Sequence, residues 1–291
     1  MHIDNYKAYI SAETMMGPNS VRILAELLEK YPLQLVVHPV RKRTRGRSGI
    51  FAWQGGGRRR ADARQGRQRN HAEIPPGIWF VFWPDVPLGP DDRILDLGCG
   101  TGLTSLVIAK ETGARVFAND LWVHAEENRK RFMDWGVGEQ ITPVCEDAND
   151  LHFENKQFRV LLSIDSYHYF GGSRGFFQEK ILPLLKDGGM VLIGIPGLKD
   201  EYTDRAGELL SDWLADEAYM FKSPKAWREI IGGHERIESV RTWEMDCFSK
   251  AWADWLAADN PYARSDRQRF EKIIRPYTCF VGIYIKLKKA V

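Results

Sequence analysis

Ile94-Leu95-Asp96-Leu97-Gly98-Cys99-Gly100-Thr101-Gly102 decides how the rest of the chain is read. Ile94 to Leu97 is a short apolar run holding one acid, which predicts a buried parallel strand. Three glycines follow at alternate positions. Leu103, Leu106, Val107 and Ala109 then begin an apolar stripe at helical spacing. Together these residues predict a strand, a glycine turn and a helix. A Cβ in such a turn would hold the backbone away from a ligand, and some of its positions need positive φ. The helix that follows points its first N–H groups and its dipole at whatever lies on the turn.

From Asp91 onward, strand and helix patterns alternate. Strands are predicted at 115–118, 141–144, 158–164, 190–195, 237–243 and 280–287. Helices are predicted at 125–135, 176–185 and 224–231, with extra helical pieces near 248–256 and 266–274. Lys186 to Gly189 should stop one helix, and Pro196-Gly197 should halt the strand of 190–195. Upstream, Ser20 is a plausible N-cap for a helix through Val21, Leu24, Leu27 and Leu28.

The formal net charge of +2 is unevenly spread. Residues 41–69 carry ten arginines, one lysine and one aspartate, about +10, which leaves about −8 for the remainder. His38 to Asn70 lacks periodic apolar positions and is expected to be disordered. Three readings stand for it: a solvated linker, an arm that attracts RNA or DNA with strong salt dependence, or text from a shifted frame in GC-rich DNA. The four cysteines have no metal-like spacing and suggest reduced thiols in a cytoplasmic protein. No signal peptide and no membrane span are expected, since the longest apolar run, Ile78 to Trp83, is far too short. The oligomeric state is not legible.

The nine-residue run, with Asp96 two residues before Gly98, closely resembles motif I of the class I S-adenosylmethionine-dependent methyltransferases. The resemblance covers 91–291 well and 1–31 loosely, and it fails across 36–90. It implies an α/β, Rossmann-like sheet of seven mostly parallel strands in the order 3-2-1-4-5-7-6, with strand seven antiparallel and helices on both faces. The implied organisation is an N-terminal lid helix (1–35), a basic, disordered Arg/Gly-rich insertion with an aromatic linker (36–90), and a methyltransferase domain (91–291). The implied cofactor is S-adenosyl-L-methionine.

In open parallel sheets ligands lie beyond the carboxyl ends of the strands. The resemblance therefore places Asp96, Gly98, Cys99, Gly100 and Gly102 on the cofactor, and Asp120 on its ribose hydroxyls. Leu121 and Trp122 would flank the adenine, Asp147 would take its amino group, and Ala148 would leave room for the ring. Asp165 would also bind cofactor. In Asp165-Ser166-Tyr167-His168-Tyr169, the reactive methyl should sit near His168, a candidate general base, while Tyr167 or Tyr169 orients the acceptor. Tyr6, Tyr9, Met15, Met16, Trp252 and Trp255 are candidate walls of the acceptor pocket.

Asp/Asn-Pro-Pro-Tyr and Pro-Cys, the signatures of two DNA-methylating chemistries, are absent. The expected function is methyl transfer by in-line displacement to a small-molecule acceptor, at O or N foremost, with C possible. The fourth-strand motif is similar to that of cyclopropane-synthase-like enzymes. The alternative is an RNA-associated methyltransferase or binding protein that uses the basic 38–70 segment.

Overall fold

The computed structural model describes residues 1–31, 33–35, 87–88 and 91–290. Apart from residues 87–88, the basic insertion and the aromatic linker, with the disorder and nucleic-acid roles expected of them, lie outside the described residues.

The sheet is built from β1 (Arg93–Leu97), β2 (Arg115–Asn119), β3 (Ile141–Val144), β4 (Phe158–Ile164), β5 (Leu185–Leu198), β6 (Ile237–Glu244) and β7 (Thr278–Leu287). Its order is β3-β2-β1-β4-β5-β7-β6. The first five strands pair parallel, and β7 runs antiparallel to both β5 and β6. That is the order and the antiparallel strand that the resemblance implied.

Alternate residues of each central strand feed opposite cores, as a period of two requires. Ile94, Val160, Met190 and Leu192 pack with helices α1 (Ser20–Lys30), α2 (Leu103–Thr112) and, through Phe132, α3 (Ala125–Asp134). Leu95, Leu161, Val191 and Ile193 pack on the other face with the 177–184 turns and α5 (Pro224–Ile231). Between α3 and α5 lies α4 (Ala206–Leu214); after β6 come α6 (Phe248–Ala257) and α7 (Pro261–Arg269).

Several boundaries differ from the sequence expectation. Asn19, not Ser20, caps α1: its side chain accepts the Val21 amide at 3.0 Å. The helix expected at 176–185 is a π-turn (Phe177–Ile181) followed by a 3-10 turn (Leu182–Leu184). Pro183 lacks an N–H and crowds the preceding turn, so an α-helix cannot run through it. β5 does not halt at Pro196 but continues to Leu198 against β7. Its pairing with β4 ends at Gly194, so beyond that point the missing N–H of Pro196 faces no neighbouring strand and costs no ladder bond. The piece expected at 266–274 begins earlier, as α7, where the Asn260 side chain caps Tyr262.

Candidate active site

At the carboxyl end of β1, Gly98, Gly100 and Gly102 all have positive φ, +74°, +56° and +85°. The amides of Gly98 and Cys99 both donate to the Asn119 carbonyl, at 2.8 and 3.0 Å, which ties the turn to the end of β2. Two of the glycines are required by the protein itself. A Cβ at Gly98 would lie 2.2 Å from Ser166 Oγ, and one at Gly102 would lie 2.3 Å from the Phe132 ring. Gly100 is different: its Cβ would meet Met16 Sδ at 3.0 Å, across a cleft. Asn128, in the middle of α3, supports this loop by donating to the Gly100 carbonyl at 2.9 Å. No signal in the sequence distinguished that asparagine.

Met15, Met16, Gly17 and Pro18 form one wall of this cleft, and Gly98, Cys99, Gly100 and Asp120 form the other. The wall from the N-terminal segment is fastened at both ends. Thr101 Oγ1 donates to the Thr14 carbonyl at 2.6 Å. Asn19 Nδ2 donates to Asp254 on α6 at 2.6 Å, and Arg22 pairs with the same carboxylate.

Asp120 is buried. Its Oδ2 accepts the Gly100 amide at 2.7 Å, and its Oδ1 accepts the amides of Trp122 and Val123 at 2.9 Å each. A carboxylate oxygen offers about two acceptor sites, so Oδ2 keeps one for a hydroxyl in the cleft. Asp96 is not in the cleft. It is fully buried, and its Oδ2 accepts the hydroxyls of Thr104 and Ser105 at 2.6 Å each. Burial lifts its carboxyl to about 6 in spite of those bonds. Asp96 therefore braces the end of β1 against the first turn of α2.

The expected adenine group is also rearranged. Leu121 is 53% exposed, Asp147 is exposed and folded onto Asn149, and Ala148 is buried in the core of the second face. None of the three lines the cleft. Trp122 does, because the two amides held by Asp120 Oδ1 turn the chain and bring its ring edge-on to Tyr169, with centroids 5.1 Å apart.

A second cavity of about 130 Å3 adjoins the cleft. Met16, Gly17, Pro18, Asp165 and Tyr169 line both. Asp165 follows β4 directly, with φ +57°, and its amide donates to the Gly194 carbonyl at 2.7 Å. Its Oδ2 lies where only a glycine fits, since a Cβ on Gly17 would be 2.6 Å away. Burial first, then the charge of Asp266, raise the Asp165 carboxyl to about 7. Trp213, Phe221, Trp252, Glu217 and Asp266 complete the cavity.

The three candidates after Asp165 separate. Tyr167 is fully buried in the opposite core against Phe170, Phe176 and Trp227. A 3-10 turn rotates about 120° per residue, so Tyr167 points away from the side that His168 and Tyr169 share and does not reach the cavity. His168 lines the second cavity, 4% exposed, and burial holds its imidazole down to about 3. That shift favours the neutral imidazole, and its Nδ1 has no hydrogen-bond partner among the described residues. Tyr169, 45% exposed, stands between cleft and cavity. Tyr6 and Tyr9 leave the pocket for α2, where they bond Glu111 and Lys110. Trp255 is core, and its indole N–H goes to Asp266.

The glycine turn, the acid after β2 and the sheet order converge on one comparison. A family described as "Methyltransferase domain" matches residues 94–189. Residues 94–189 are thus similar to a methyltransferase domain. A glycine/sarcosine/dimethylglycine N-methyltransferase of Actinopolyspora halophila is 31% identical over 116 residues, 40% of this chain and 20% of that protein. A sterol 24-C-methyltransferase of Yarrowia lipolytica is 29% identical over 118 residues, 40% of this chain and 30% of that protein. The chain thus spans less than a third of the length of these curated relatives. The geranyl diphosphate C-methyltransferase of Streptomyces coelicolor A3(2), solved with Mg2+, geranyl diphosphate and S-adenosyl-L-homocysteine, is similar in fold. Its TM-score is 0.55 at 15% identity, covering 68% of this chain and 71% of that one. Among the described residues, no helix is long and apolar enough to cross a membrane.

Proposed function

We propose that the chain transfers a methyl group from S-adenosyl-L-methionine to a small-molecule acceptor held in the second cavity. The observation that carries this reading is the joining of two spaces through Asp165 and Tyr169: a glycine-lined cleft beside Asp120, and a cavity with polar and aromatic walls. The donor set fits the cofactor. Gly100 leaves a space that a Cβ would fill, and Asp120 Oδ2 has an acceptor site to spare. S-adenosylmethionine supplies a methyl group on a sulfonium sulfur that leaves with the bonding pair.

The chain's own residues do the rest. Gly98, Cys99 and Gly100 shape the cofactor wall, Asp120 orients the ribose, and Trp122 covers the cleft against Tyr169. Met16 and Gly17 exclude water above the glycine turn. The cleft measures about 110 Å3, well below the roughly 300 Å3 of a typical small-molecule site, so the N-terminal wall shifts outward when the cofactor enters. Holding the acceptor in line is worth roughly 7–11 kcal/mol, more than the ~10²–10⁴-fold of a general base. Asp165 receives any proton the acceptor must lose.

In this reading residues 1–35 are the lid and 91–291 the catalytic body. The free cysteines, two of them buried, support a reducing, cytoplasmic setting. The test is calorimetric titration of the full chain with S-adenosylhomocysteine. Binding with one site per chain, weakened in Asp120→Asn, supports the reading. An absence of binding overturns it.

A further inference from the structure

The second cavity has an unusual chemistry for its size. Three carboxylates, Asp165, Glu217 and Asp266, line it, and neither lysine nor arginine does. His168, which also lines it, is neutral and buried, and its Nδ1 has no hydrogen-bond partner among the described residues. Tyr169, Trp213, Phe221 and Trp252 make part of the wall aromatic. Trp213 packs edge-on to Phe221 and Trp252, at 5.5 and 6.0 Å, and His168 lies over Tyr169 at 4.1 Å.

The carboxylates are placed by structure. Asp266 accepts the indole N–H of Trp213 at 3.0 Å and that of Trp255 at 2.9 Å. It thereby fixes one aromatic wall and itself lines the cavity. Asp165 takes no hydrogen bond or ion pair from any described residue, and Gly17 leaves just enough room for its Oδ2. Glu217 stands at the exposed rim.

Carboxylates left without cations are costly when partly buried. A cation entering the cavity relieves that cost, and aromatic faces attract the same charge through their quadrupoles. An anionic acceptor would meet the opposite field. A neutral apolar one would leave the Asp165 carboxylate and the His168 nitrogen unpaired.

We propose that the second cavity is an ammonium site, and that the acceptor is a small aliphatic amine that enters as its cation. This rests on the methyl-transfer reading for its role and on the cavity alone for its binding. A protonated amine has no lone pair, so its N–H bond must break before nitrogen can take a methyl group. The proton goes to an Asp165 oxygen, forming an O–H bond, and the freed lone pair stays on nitrogen. A tertiary amine that arrives unprotonated skips this step. Neutral His168 then presents an imidazole nitrogen to the substrate rather than a competing charge.

The experiment is a calorimetric comparison of choline with its uncharged isostere, 3,3-dimethylbutan-1-ol. It is run on the full chain both free and saturated with S-adenosylhomocysteine. The expected result is choline bound at least tenfold more tightly than the isostere in both forms. Asp165→Asn should remove most of that ratio, and Glu217→Gln should lower it about threefold, with isostere affinity unchanged in both. Equal affinities, or no choline binding, overturn the ammonium site while leaving S-adenosylhomocysteine binding, and hence methyl transfer, intact. Choline binding that disappears under S-adenosylhomocysteine places the cation in the cofactor cleft and also overturns the proposal. If S-adenosylhomocysteine itself fails to bind, the methyl-transfer reading falls, and the choline ratio in the free chain still decides the cavity.

Discussion

Asp120 Oδ2 accepts the Gly100 amide at 2.7 Å, so the acid after β2 and the middle glycine of the turn after β1 hold each other in place. The same oxygen is the one left with capacity for a ribose hydroxyl. Replacing Asp120 with Asn removes the charge from both bonds. Hydrogen bonds to charged groups contribute about 1.5–3 kcal/mol. S-adenosylhomocysteine affinity in Asp120→Asn should therefore fall by roughly 10- to 100-fold by calorimetry. Unchanged affinity would remove Asp120 from the site.

The glycines should not behave alike. Both Gly98→Ala and Gly100→Ala carry a positive-φ penalty of about 1–2 kcal/mol. At Gly98 the new methyl also meets Ser166 Oγ and Cβ, at 2.2 and 2.4 Å, beneath the cleft. At Gly100 it meets only the far end of Met16. Thermal unfolding should show Gly98→Ala as much the less stable, with part of the loss restored by Ser166→Gly. Gly100→Ala should stay folded and lose cofactor affinity. Equal unfolding temperatures would refute this division.

Asp165 links stability to pH. Its folded pKa of about 7 lies above the ordinary 3.8, so between these values the folded state binds the extra proton. Stability therefore declines as pH rises from about 4 to 7 and levels off above that. The groups facing Asp165 are Asp266 from α7, Glu217 from the 215–220 turn, and Tyr169 and neutral His168 from its own turn. Asp96, raised to about 6, contributes in the same direction. Urea unfolding at several pH values should show Asp165→Asn overtaking the wild type at pH 8. Parallel pH profiles would exclude a raised Asp165.

Ala215 carries backbone strain. It ends α4 at φ +47° and ψ −124°, a conformation suited to glycine. Such positions cost of order 1–3 kcal/mol. Ala215→Gly should stabilise the chain by about 1 kcal/mol in chemical denaturation. A loss of stability would mean that the alanine methyl contributes more by packing than the backbone loses by strain.

The sheet was legible because the buried strands read as continuous apolar runs and the glycine turn has no cheap substitute. Ile94–Gly102, Arg115–Asp120 and Phe158–Asp165 each announced both a strand and the residue beyond its end. What the sequence concealed was direction. Nothing in Tyr167-His168-Tyr169 says which side chain faces the sheet's far core, because a three-residue turn has no periodicity. Asp96 and Asp120 look equivalent as strand-end acids. The hydroxyls of Thr104 and Ser105 draw one inward, and the amides of Gly100 and Trp122 hold the other at the cleft. Pro183 and Pro196 misled in opposite ways. One broke a helix expected to continue, and the other sat harmlessly where a neighbouring strand had ended.

The walls of the second cavity come from places far apart in the chain: Met16 before α1, Trp213 and Glu217 after β5, and Trp252 and Asp266 after β6. All five fall outside residues 94–189, the span that aligns with known methyltransferases. On the proposed reading, the part of the chain that is easy to recognise handles the donor, and much of the wall around the acceptor is assembled elsewhere. On that reading, substitutions outside residues 94–189 can exchange one acceptor for another while the glycine turn stays unchanged.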